Sequence, residues 1–438
     1  MTFPENFFIG AATAAHQVEG NNTNSDDWAL EHIEHSDFVE PSGIACDHYN
    51  RYEEDIRLMA EAGLTAYRFS IEWARVEPEE GVFDADAIDH YRRVVRCCKE
   101  HGLEPVVTMM HFTSPVWLIR NGGWEDERTV GAFANYCRKI AEEFGDELEY
   151  VCTINEANMG LQVAKIMERY KRQMMAAAAR AQDAGASQEG TVQVGMNLSG
   201  MMGRMKAAAM EKAQIFGTPD PKVFVGGLSA DGDRLIMRAH EAARDAMKAV
   251  CPHLKIGLTL SVHDIQVPEG YANDEAANAL AAQEWNEEFR HYLPTIKNDD
   301  FLGVQNYTRS EIGPDGILPV PEGAETTQMD YEFYPEALEH VIRRMHEDFN
   351  GELIVTENGI ATADDSRRLA FIEQALSGVS SCIEDGIPVG GYFYWSLMDN
   401  FEWQKGYSMT FGLIAVDRET LERKPKASLA YLGGFAKQ

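Results

Sequence analysis

Short apolar or β-branched runs recur along the chain, and segments with helical spacing follow them. Eight of these runs are predicted to form strands, namely Phe7–Ala12, Ala66–Ser70, Pro105–Met110, Tyr150–Ile154, Ile256–Leu260, Phe301–Gln305, Leu353–Val355 and Gly391–Trp395. Apolar runs that alternate with helical patterns are typical of parallel strands covered by helices on the outside.

The helical segments carry apolar stripes at helical spacing. The three clearest stripes span Tyr49–Ala60, Phe133–Phe144 and Leu235–Val250, and a Gly or Pro residue follows each of them. The third comprises Leu235, Ala239, Ala242, Ala246 and Val250. Eight strands alternating with helices, without a Ser-, Gly- or Pro-rich linker between them, predict an α/β fold. We expect one catalytic domain over residues 1–438, a single (β/α)8 or TIM barrel.

The interval between the fourth and fifth predicted strands is unusually long and rich in methionine. Its methionines are Met159, Met167, Met174, Met175, Met196, Met201, Met202, Met205 and Met210. This extended segment is interpreted as extra helices laid over the barrel mouth, with thioethers lining the entrance on the leaving-group side. The alternative is that the methionines are soft packing filler on the buried faces of those helices.

The excess of acidic residues argues against nucleic acids and membranes as binding partners. Lys and Arg number 39 and Asp and Glu 71, so the formal net charge is −32. Such an acidic chain repels phosphate backbones and anionic lipid surfaces, and no apolar run approaches the ~20 residues that span a bilayer. Nucleic acid and membranes are therefore not expected partners. The N-terminus lacks a basic region, and the seven scattered cysteines contain no C-x-x-C, so we expect a cytoplasmic protein with buried free thiols.

Polar and aromatic side chains stand at the ends of the predicted strands, where a barrel of this type has its active site. They are Gln17 after the first strand, Arg68 in the second, His111 after the third, Asn155 and Glu156 after the fourth, Tyr307 after the sixth, Glu357 after the seventh, and Trp395, Glu402 and Trp403 at and beyond the end of the eighth. We expect these ten side chains to converge on one cavity.

This set of side chains suits a sugar. Carboxylates and amides bind hydroxyl groups, and indole rings stack on the C–H faces of a sugar ring. Cleavage of an acetal needs two carboxyl groups, one to protonate the leaving oxygen and one to attack or to activate water. A lone Glu at a strand end is often only solvated or salt-bridged. Glu156 and Glu357 each end an apolar strand beside an Asn, which favours a carboxylate-pair hydrolase.

No motif points to a metal or a cofactor. The segment His32–His35 reads H-I-E-H and lacks the H-E-x-x-H spacing that puts two ligands on one helix face, so we interpret it as a solvated or structural cluster. The chain has no G-x-G-x-x-G and no G-x-x-x-x-G-K-[ST] motif, so neither a dinucleotide nor a P-loop site is supported.

Several separated motifs, in order along essentially the whole chain, resemble glycoside hydrolase family 1, the β-glucosidase-like retaining enzymes. They are F-F-I-G-A-A-T-A-A-H-Q-V-E-G, A-C-D-H-Y-N-R-Y-E-E-D-I, Y-R-F-S-I-E-W-A-R-V-E-P, T-I-N-E, T-E-N-G, and W-S-L-M-D-N-F-E-W followed by F-G-L. The resemblance implies a (β/α)8 barrel that hydrolyses terminal β-D-glucosyl residues of cellobiose, short cello-oligosaccharides and aryl or alkyl β-glucosides. Glucose is the implied product.

The resemblance also implies roles for the ten residues. Glu156 matches the general acid/base, and Glu357 the nucleophile, with Arg68 and Tyr307 beside it. Gln17, His111, Asn155, Glu402 and Trp403 match residues that bind the sugar hydroxyls, and Trp395 matches the platform beneath the ring. On physical grounds, a cation and a phenol should lower the pKa of Glu357, and the charge of Glu357 should be the main cause of a raised pKa at Glu156. A retaining mechanism implies carboxyl groups about 5–5.5 Å apart.

The chain departs from the family pattern near these motifs. Ala157 stands where the family usually has Pro after the acid/base, and Gln305 and Asn306 stand before Tyr307 where Asn-Tyr is common. Thr410 replaces a frequent Arg before F-G-L. These departures concern the turn beyond Glu156 and the rim of the sugar site, and they leave both carboxyl groups in place.

Single residues argue against three alternative functions. A 6-phospho-β-glycosidase is disfavoured because Glu402 would repel a phosphate, and a thioglucosidase because Glu156 replaces the Gln of those relatives. A non-catalytic sugar-binding barrel is disfavoured because both carboxyl groups are present. Side activities on β-galactosides and β-fucosides, and transglycosylation, are compatible with the resemblance.

Overall fold

The computed structural model of the chain describes residues 1–183 and 198–436. Eight parallel strands close into a barrel. They are β1 (Phe8–Ala12), β2 (Ala66–Ser70), β3 (Glu104–Met110), β4 (Tyr150–Ile154), β5 (Lys255–Ser261), β6 (Phe301–Gln305), β7 (Glu352–Asn358) and β8 (Val389–Trp395). Each strand pairs with its neighbours in the chain, and β8 pairs with β1 to close the barrel.

A long helix follows each barrel strand. These helices are α1 (His48–Ala62), α2 (Ala85–Glu100), α3 (Arg128–Phe144), α4 (Ala230–Val250), α5 (Glu275–Glu288), α6 (Ala337–Asp348), α7 (Asp365–Glu384) and α8 (Ala427–Phe435). Strand and helix alternate around the whole barrel, so the predicted (β/α)8 fold is confirmed.

Shorter elements occupy the connections. Short α-helices span Ala15–Val18, Asp26–Glu31, Trp73–Val76, Val116–Arg120 and Leu293–Ile296, and 3-10 turns span Gly123–Glu125, Gly145–Glu147, Glu269–Tyr271, Arg290–Tyr292 and Trp403–Lys405. A small sheet combines Asp264–Gln266, Arg309–Gly313 and Gly316–Ile317, and a hairpin pairs Ile414–Val416 with Arg423–Pro425.

Local sequence explains where several elements end. Gly63 ends α1 with a left-handed φ of 98°, as the sequence predicts, and its N–H donates to the carbonyls of Met59 and Ala60. Strand β7 continues beyond the predicted end at Val355. The apolar run stops there, yet the polar residues that follow stay paired, because Glu357 lies beside Gln305 of β6 and Asn358 beside Tyr394 of β8.

The third predicted stripe is confirmed in part. In α4, Leu235 and Ala239 are buried as predicted, whereas Ala242 and Ala246 are only half-buried, and Ala243 and Met247, one position further on, are buried instead. Several alanines on this helix fit either face by hydropathy, so spacing alone did not identify the buried positions of its second half.

Two hydrophobic layers hold the barrel. One lies between strands and helices and includes Ile9, Val107 and Val151. The other gathers side chains of alternate strand positions, such as Ala12, Val106, Cys152, Ile354 and Phe393, and fills the barrel interior. All seven cysteines are buried, as expected, and burial raises the pKa of the Cys46 thiol to about 12.

Two further helices, Met159–Asp183 and Leu198–Phe216, extend from the end of β4. The second contacts loops that follow β1 and β3, because Arg204 donates to the carbonyl of Ser36 and Arg120 to that of Ile215. These loops lie at the end of the barrel where the candidate residues stand.

The methionines of these helices are largely exposed where they are described. Met167, Met175, Met205 and Met210 are between 57% and 65% exposed, so the packing-filler interpretation is wrong for these four. Met159 is half-buried against the core. Met196 lies outside the described residues, as do the side chains of Met174, Met201 and Met202. Within the described ranges, no helix has the length and apolar character needed to cross a membrane.

Candidate active site

The C-terminal ends of the barrel strands bring the ten predicted residues into one connected set. Glu357 lies next to the last residue of β7 and is 3% exposed. Arg68 of β2, which is completely buried, donates from Nη1 to Oε1 of Glu357 at 2.6 Å. The hydroxyl of Tyr307 donates to Oε2 at 2.6 Å. Each oxygen of this carboxylate therefore has its own charged or phenolic donor.

The glycine of the T-E-N-G motif is required by close packing of two strand ends. A Cβ atom on Gly359 would lie 2.0 Å from the carbonyl oxygen of Trp395. Only Gly fits at this contact, which brings the end of β7, with Glu357, against the end of β8, with Trp395.

The pKa of Glu357 differs from the expectation. Burial is the largest influence and raises the pKa, while Arg68 and the hydrogen bond from Tyr307 lower it, and the pKa lies above the ordinary value of a glutamate. The predicted lowering was wrong in its net direction, because the strength of the burial effect depends on depth, which the sequence does not reveal. The predicted influence of the two partners was correct in sign.

Glu156 follows β4 and is 6% exposed. Its backbone adopts a left-handed conformation with φ of 45°, which is uncommon for a residue with a side chain. Neighbouring residues of a regular strand point to opposite faces, so this turn lets both Asn155 and Glu156 lie at the barrel mouth. The N–H of Glu156 donates to Oγ1 of Thr259 in β5 at 2.9 Å.

The pKa of Glu156 is raised well above its ordinary value. Burial is the largest cause and the charge of Glu357 the second, whereas Arg68 and a hydrogen bond with Ser261 lower it by less. The direction agrees with the prediction. The order of causes does not, because we expected the charge of Glu357 to be the main one.

Asn155 connects several of these groups. Its Oδ1 accepts from Nη2 of Arg68 at 2.6 Å and from Nε2 of Gln305 at 2.7 Å. Its Nδ2 lies 3.2 Å from Nε2 of His111. Burial and then Arg68 place the pKa of His111 well below its usual range. The neutral ring can therefore accept the Asn155 amide proton at Nε2 and carry its own proton on Nδ1.

Gln17 and Glu402 form a second polar pair. The Nε2 group of Gln17 donates to the carbonyl of Phe401 at 2.7 Å and to Oε2 of Glu402 at 3.3 Å. Burial, and then the charge of Glu357, raise the pKa of Glu402 to about 8, although the hydrogen bond from Gln17 opposes this. Glu402 is thus electrostatically coupled to Glu357.

Aromatic rings pack beside these polar groups. The ring centroids of His111 and Trp395 are 5.5 Å apart with an interplanar angle of 22°, and those of His111 and Trp403 are 6.3 Å apart. Trp395 is 4% exposed. Phe112 packs against Trp403 with centroids 5.3 Å apart and has a left-handed φ of 71°. Strained backbone of this kind is frequent at functional sites.

Sequence reasoning missed three contributors to the site, Thr259, Gln305 and Phe112. Thr259 lies near the end of β5, the one predicted strand whose end supplied no candidate, and the strand-end rule applied there would have found it. Gln305 was noted only as a departure from the family. No local signal marks Phe112, because its left-handed conformation is imposed by packing.

The H-I-E-H segment has a structural contact, as interpreted. Nδ1 of His35 lies 2.6 Å from Oε1 of Glu211 on helix Leu198–Phe216. Among the described residues, Glu34, His35 and Glu211 form the one group of three side chains with metal-ligand atoms near one another. The close contact between His35 and Glu211 explains this grouping without a metal.

The chain is similar over most of its length to known glycosidases. The family model described as glycosyl hydrolase family 1 matches residues 1–201 and 288–438. The β-glucosidase of Agrobacterium sp. is 30% identical over 474 residues, covering 99% of this chain and 95% of the relative. The 6-phospho-β-galactosidase 1 of Streptococcus pneumoniae is 28% identical and covers 99% of this chain and 97% of the relative.

A solved structure agrees with these matches. The crystal structure of β-glycosidase BGL167 is 45% identical, with a TM-score of 0.86, and the match covers 100% of this chain and 97% of that chain. The family model and the relatives confirm the resemblance inferred from the motifs. The chain therefore belongs to glycosyl hydrolase family 1 and is a glycoside hydrolase.

Proposed function

We propose that the protein is a retaining β-glucosidase. It removes terminal non-reducing β-D-glucosyl residues from cellobiose, short cello-oligosaccharides and aryl or alkyl β-glucosides by double displacement. The observation that carries this proposal is the contrast between two buried carboxyl groups. Glu357 accepts hydrogen bonds from Arg68 and Tyr307, which favour its charged form, while the charge of Glu357 favours the protonated form of Glu156.

In the first step, the carboxylate of Glu357 attacks the anomeric carbon and Glu156 protonates the leaving oxygen. The bond from the sugar to the leaving group breaks as the ester bond to Glu357 forms. Arg68 and Tyr307 support the attack by keeping Glu357 ionised and by fixing the direction of its two oxygens.

In the second step, water attacks the glycosyl ester and Glu156 takes the proton of that water. Esterification removes the charge of Glu357, which is the second-largest cause of the raised pKa of Glu156. The pKa of Glu156 should therefore fall between the two steps, so that the acid of the first step becomes the base of the second. The sugar leaves with retained configuration, and Glu357 is ionised again.

The surrounding polar groups are proposed to bind the glucosyl ring. Gln17, His111, Asn155, Glu402 and Trp403 would contact its hydroxyl groups, and Trp395 would lie beneath it. Within the described part of the chain, Oε1 of Gln17 and Nδ1 of His111 are buried without a protein hydrogen-bond partner. A sugar hydroxyl can donate to Oε1 of Gln17 and accept from the Nδ1–H of His111, which suits a polyol ligand.

One relative is named a 6-phospho-β-galactosidase, so the charge of the sugar-binding site bears on whether the glycone is neutral or phosphorylated. Burial, and then the charge of Glu357, raise the pKa of Glu402 to about 8, so this part of the site already disfavours a negative charge. The guanidinium of Arg68 is engaged by Glu357 and Asn155. A phosphate dianion would meet an anionic surrounding here, which supports a neutral glycone.

The test compares nitrophenyl β-glucoside with its 6-phosphate and with the β-galactoside and β-fucoside. We expect the neutral glucoside to be hydrolysed and the 6-phosphate to be a poor substrate. Glu402→Ala should lower kcat/KM for neutral glucosides, because contacts to sugar hydroxyls strengthen in the transition state, whereas Glu402→Gln should retain more activity. A wild-type preference for the phosphorylated substrate would overturn the proposed specificity.

A further inference from the structure

The connection from β4 to the acid/base candidate leaves the regular ladder. Strands β4 and β5 pair with Cys152 beside Gly257, and the same register would place Ile154 beside Thr259. Beyond Ile154, however, the carbonyl of Thr259 accepts the N–H of Ala157 at 3.0 Å, and its hydroxyl accepts the N–H of Glu156 at 2.9 Å. One residue of β5 therefore satisfies two successive N–H groups of the turn.

These two hydrogen bonds hold a conformation that is unfavourable by itself. A left-handed φ of 45° is uncommon and strained for a residue with a side chain. Thr259 is completely buried, so its hydroxyl competes little with water for the Glu156 N–H. The backbone N–H groups of Glu156 and Ala157 are thus held from the side of β5.

Polar neighbours orient the Thr259 hydroxyl. Nε2 of Gln305 lies 3.3 Å from Oγ1, and the carbonyl of Ile154 lies at the same distance on the acceptor side. Gln305 also donates to Asn155 at 2.7 Å. Three strands, β4, β5 and β6, therefore meet at this hydroxyl and fix its direction.

Ala157 makes the second hydrogen bond available. A proline at this position, which is usual in the family, has no N–H and restricts the conformation of the residue before it. In this chain the N–H of Ala157 reaches the carbonyl of Thr259. The departure at position 157 and the hydroxyl at position 259 act on the same turn.

We propose that Thr259 is a positioning residue for Glu156, aiming its carboxyl at the leaving oxygen through the backbone of the turn. This inference rests on the proposed role of Glu156 as general acid/base. Thr259 does not act on the substrate itself. Its loss should therefore affect only the steps that need Glu156 to transfer a proton.

Leaving groups of different acidity separate these steps. The leaving group of cellobiose is its reducing-end glucose unit, whose oxygen must be protonated as it departs, whereas dinitrophenolate leaves without a proton. The value of kcat/KM reports the first step for both substrates. A displaced acid should lower it for cellobiose and leave it nearly unchanged for the dinitrophenyl glycoside.

The test uses Thr259→Val, which keeps the shape and removes the hydroxyl, with Thr259→Ser as the restoring variant. We expect Thr259→Val to lower kcat/KM for cellobiose on the order of tenfold, a part of the 10²–10⁴-fold that general acid catalysis supplies. The dinitrophenyl substrate should change by less than about twofold, and Thr259→Ser should recover most of the loss.

Thr153→Val is the matched control. Thr153 is a completely buried threonine on β4 whose hydroxyl pairs with Nδ1 of His240 at 2.7 Å, in the helix layer outside the barrel. Its loss should lower the thermal midpoint and leave the ratio between the two substrates unchanged. If Thr259→Val fails to fold, Ala157→Pro carries the test, because it removes the other hydrogen bond to Thr259 and leaves Thr259 itself in place. We expect a smaller shift of the ratio in the same direction.

The outcomes distinguish this proposal from the proposed function. An equal loss on good and poor leaving groups, or an unchanged ratio in both Thr259→Val and Ala157→Pro, would overturn the role of Thr259. Failure of glucoside specificity would appear in the wild-type enzyme as a preference for another glycone. The leaving-group series is then built on that glycone, and the ratio still decides the role of Thr259.

Discussion

The ends of β4 and β7 carry the same residue type at nearly the same depth, yet they surround it differently. Glu156 is 6% and Glu357 3% exposed, and burial is the largest influence on the pKa of both. Glu357 has a guanidinium on one oxygen and a phenol on the other. Burial therefore does not separate the roles of the two carboxyls; the hydrogen-bond donors around each of them do.

The backbone shows a second difference between these regions. Strand β7 remains paired on both sides of its glutamate, with Glu357 beside Gln305 and Asn358 beside Tyr394. Glu156 has left the β4 ladder and is held through Thr259. A nucleophile must keep one direction of attack, whereas an acid that later acts as a base must serve a leaving oxygen and then a water. The paired end of β7 suits the nucleophile, and the turn that Thr259 holds suits the acid/base.

The largest expected effect concerns Glu357. Glu357→Ala should lower hydrolysis of β-glucosides on the order of 10⁴-fold or more, because it removes the proposed nucleophile. Azide or formate should restore part of the turnover on an activated substrate and give a product of inverted configuration. Product configuration by NMR and initial rates measure both effects.

A matched control lies on the same strand. Glu352 begins β7, at the opposite end of the barrel, and is partly buried. Glu352→Ala should leave kcat within about threefold of wild type, as is usual for changes remote from a site. Retained activity in Glu357→Ala, or a rescued product of β configuration, would remove Glu357 from the role of nucleophile.

The second effect tests the other side of the comparison. Glu156→Gln should lower kcat/KM for cellobiose by roughly 10²–10⁴-fold, the usual contribution of a positioned proton donor. The first step with a dinitrophenyl leaving group should change little. Azide should accelerate turnover of that substrate and give a β-glycosyl azide, because deglycosylation becomes slow without its base.

The pH profile gives an independent measurement for the same variant. In the wild type, kcat/KM should fall as pH rises through the pKa of Glu156, since the acid must begin protonated. It should also fall as pH decreases through the pKa of Glu357, since the nucleophile must be ionised. Glu156→Gln should flatten the basic limb. A basic limb that survives the substitution would assign the proton to a different group.

The comparison also shows what a sequence can predict. The strand-end rule placed all ten candidate residues, from Gln17 to Trp403, because the topology of a (β/α)8 barrel sends every strand end to the same face. Apolar runs identified the eight strands, although the seventh continued beyond Val355 into polar residues that stay paired.

The remaining features depend on depth and on long-range packing. The net rise in the pKa of Glu357 could not be predicted, because it is a balance between burial and two donors from β2 and the end of β6. Phe112 and Glu156 adopt a left-handed backbone conformation, although neither is a Gly or an Asn, the residue types that usually indicate this conformation in a sequence. The exposure of Met167 and Met205 could not be predicted either. An apolar stripe at helical spacing does not show whether that face of the helix is buried or exposed to solvent.

The smallest expected effect isolates one of the two donors at Glu357. Tyr307→Phe keeps the ring and removes the hydroxyl that donates to Oε2 at 2.6 Å. A hydrogen bond to a charged group contributes about 1.5–3 kcal/mol, so kcat/KM should fall by roughly 10-fold to 150-fold for cellobiose and for the dinitrophenyl glucoside alike. Equal losses are expected because the nucleophile serves both substrates. This equality contrasts with the selective loss predicted for Glu156→Gln.

The pH profile of Tyr307→Phe should change on the opposite side from that of Glu156→Gln. The Tyr307 hydroxyl lowers the pKa of Glu357 by stabilising its charged form, and burial already raises it. Without the hydroxyl, the pKa should rise further, and the acidic limb of kcat/KM should move to higher pH while the basic limb remains. Tyr67→Phe is the control, because the buried Tyr67 hydroxyl contacts Thr13 and His48 and not Glu357. An acidic limb that stays in place in Tyr307→Phe would show that Arg68 alone keeps Glu357 ionised.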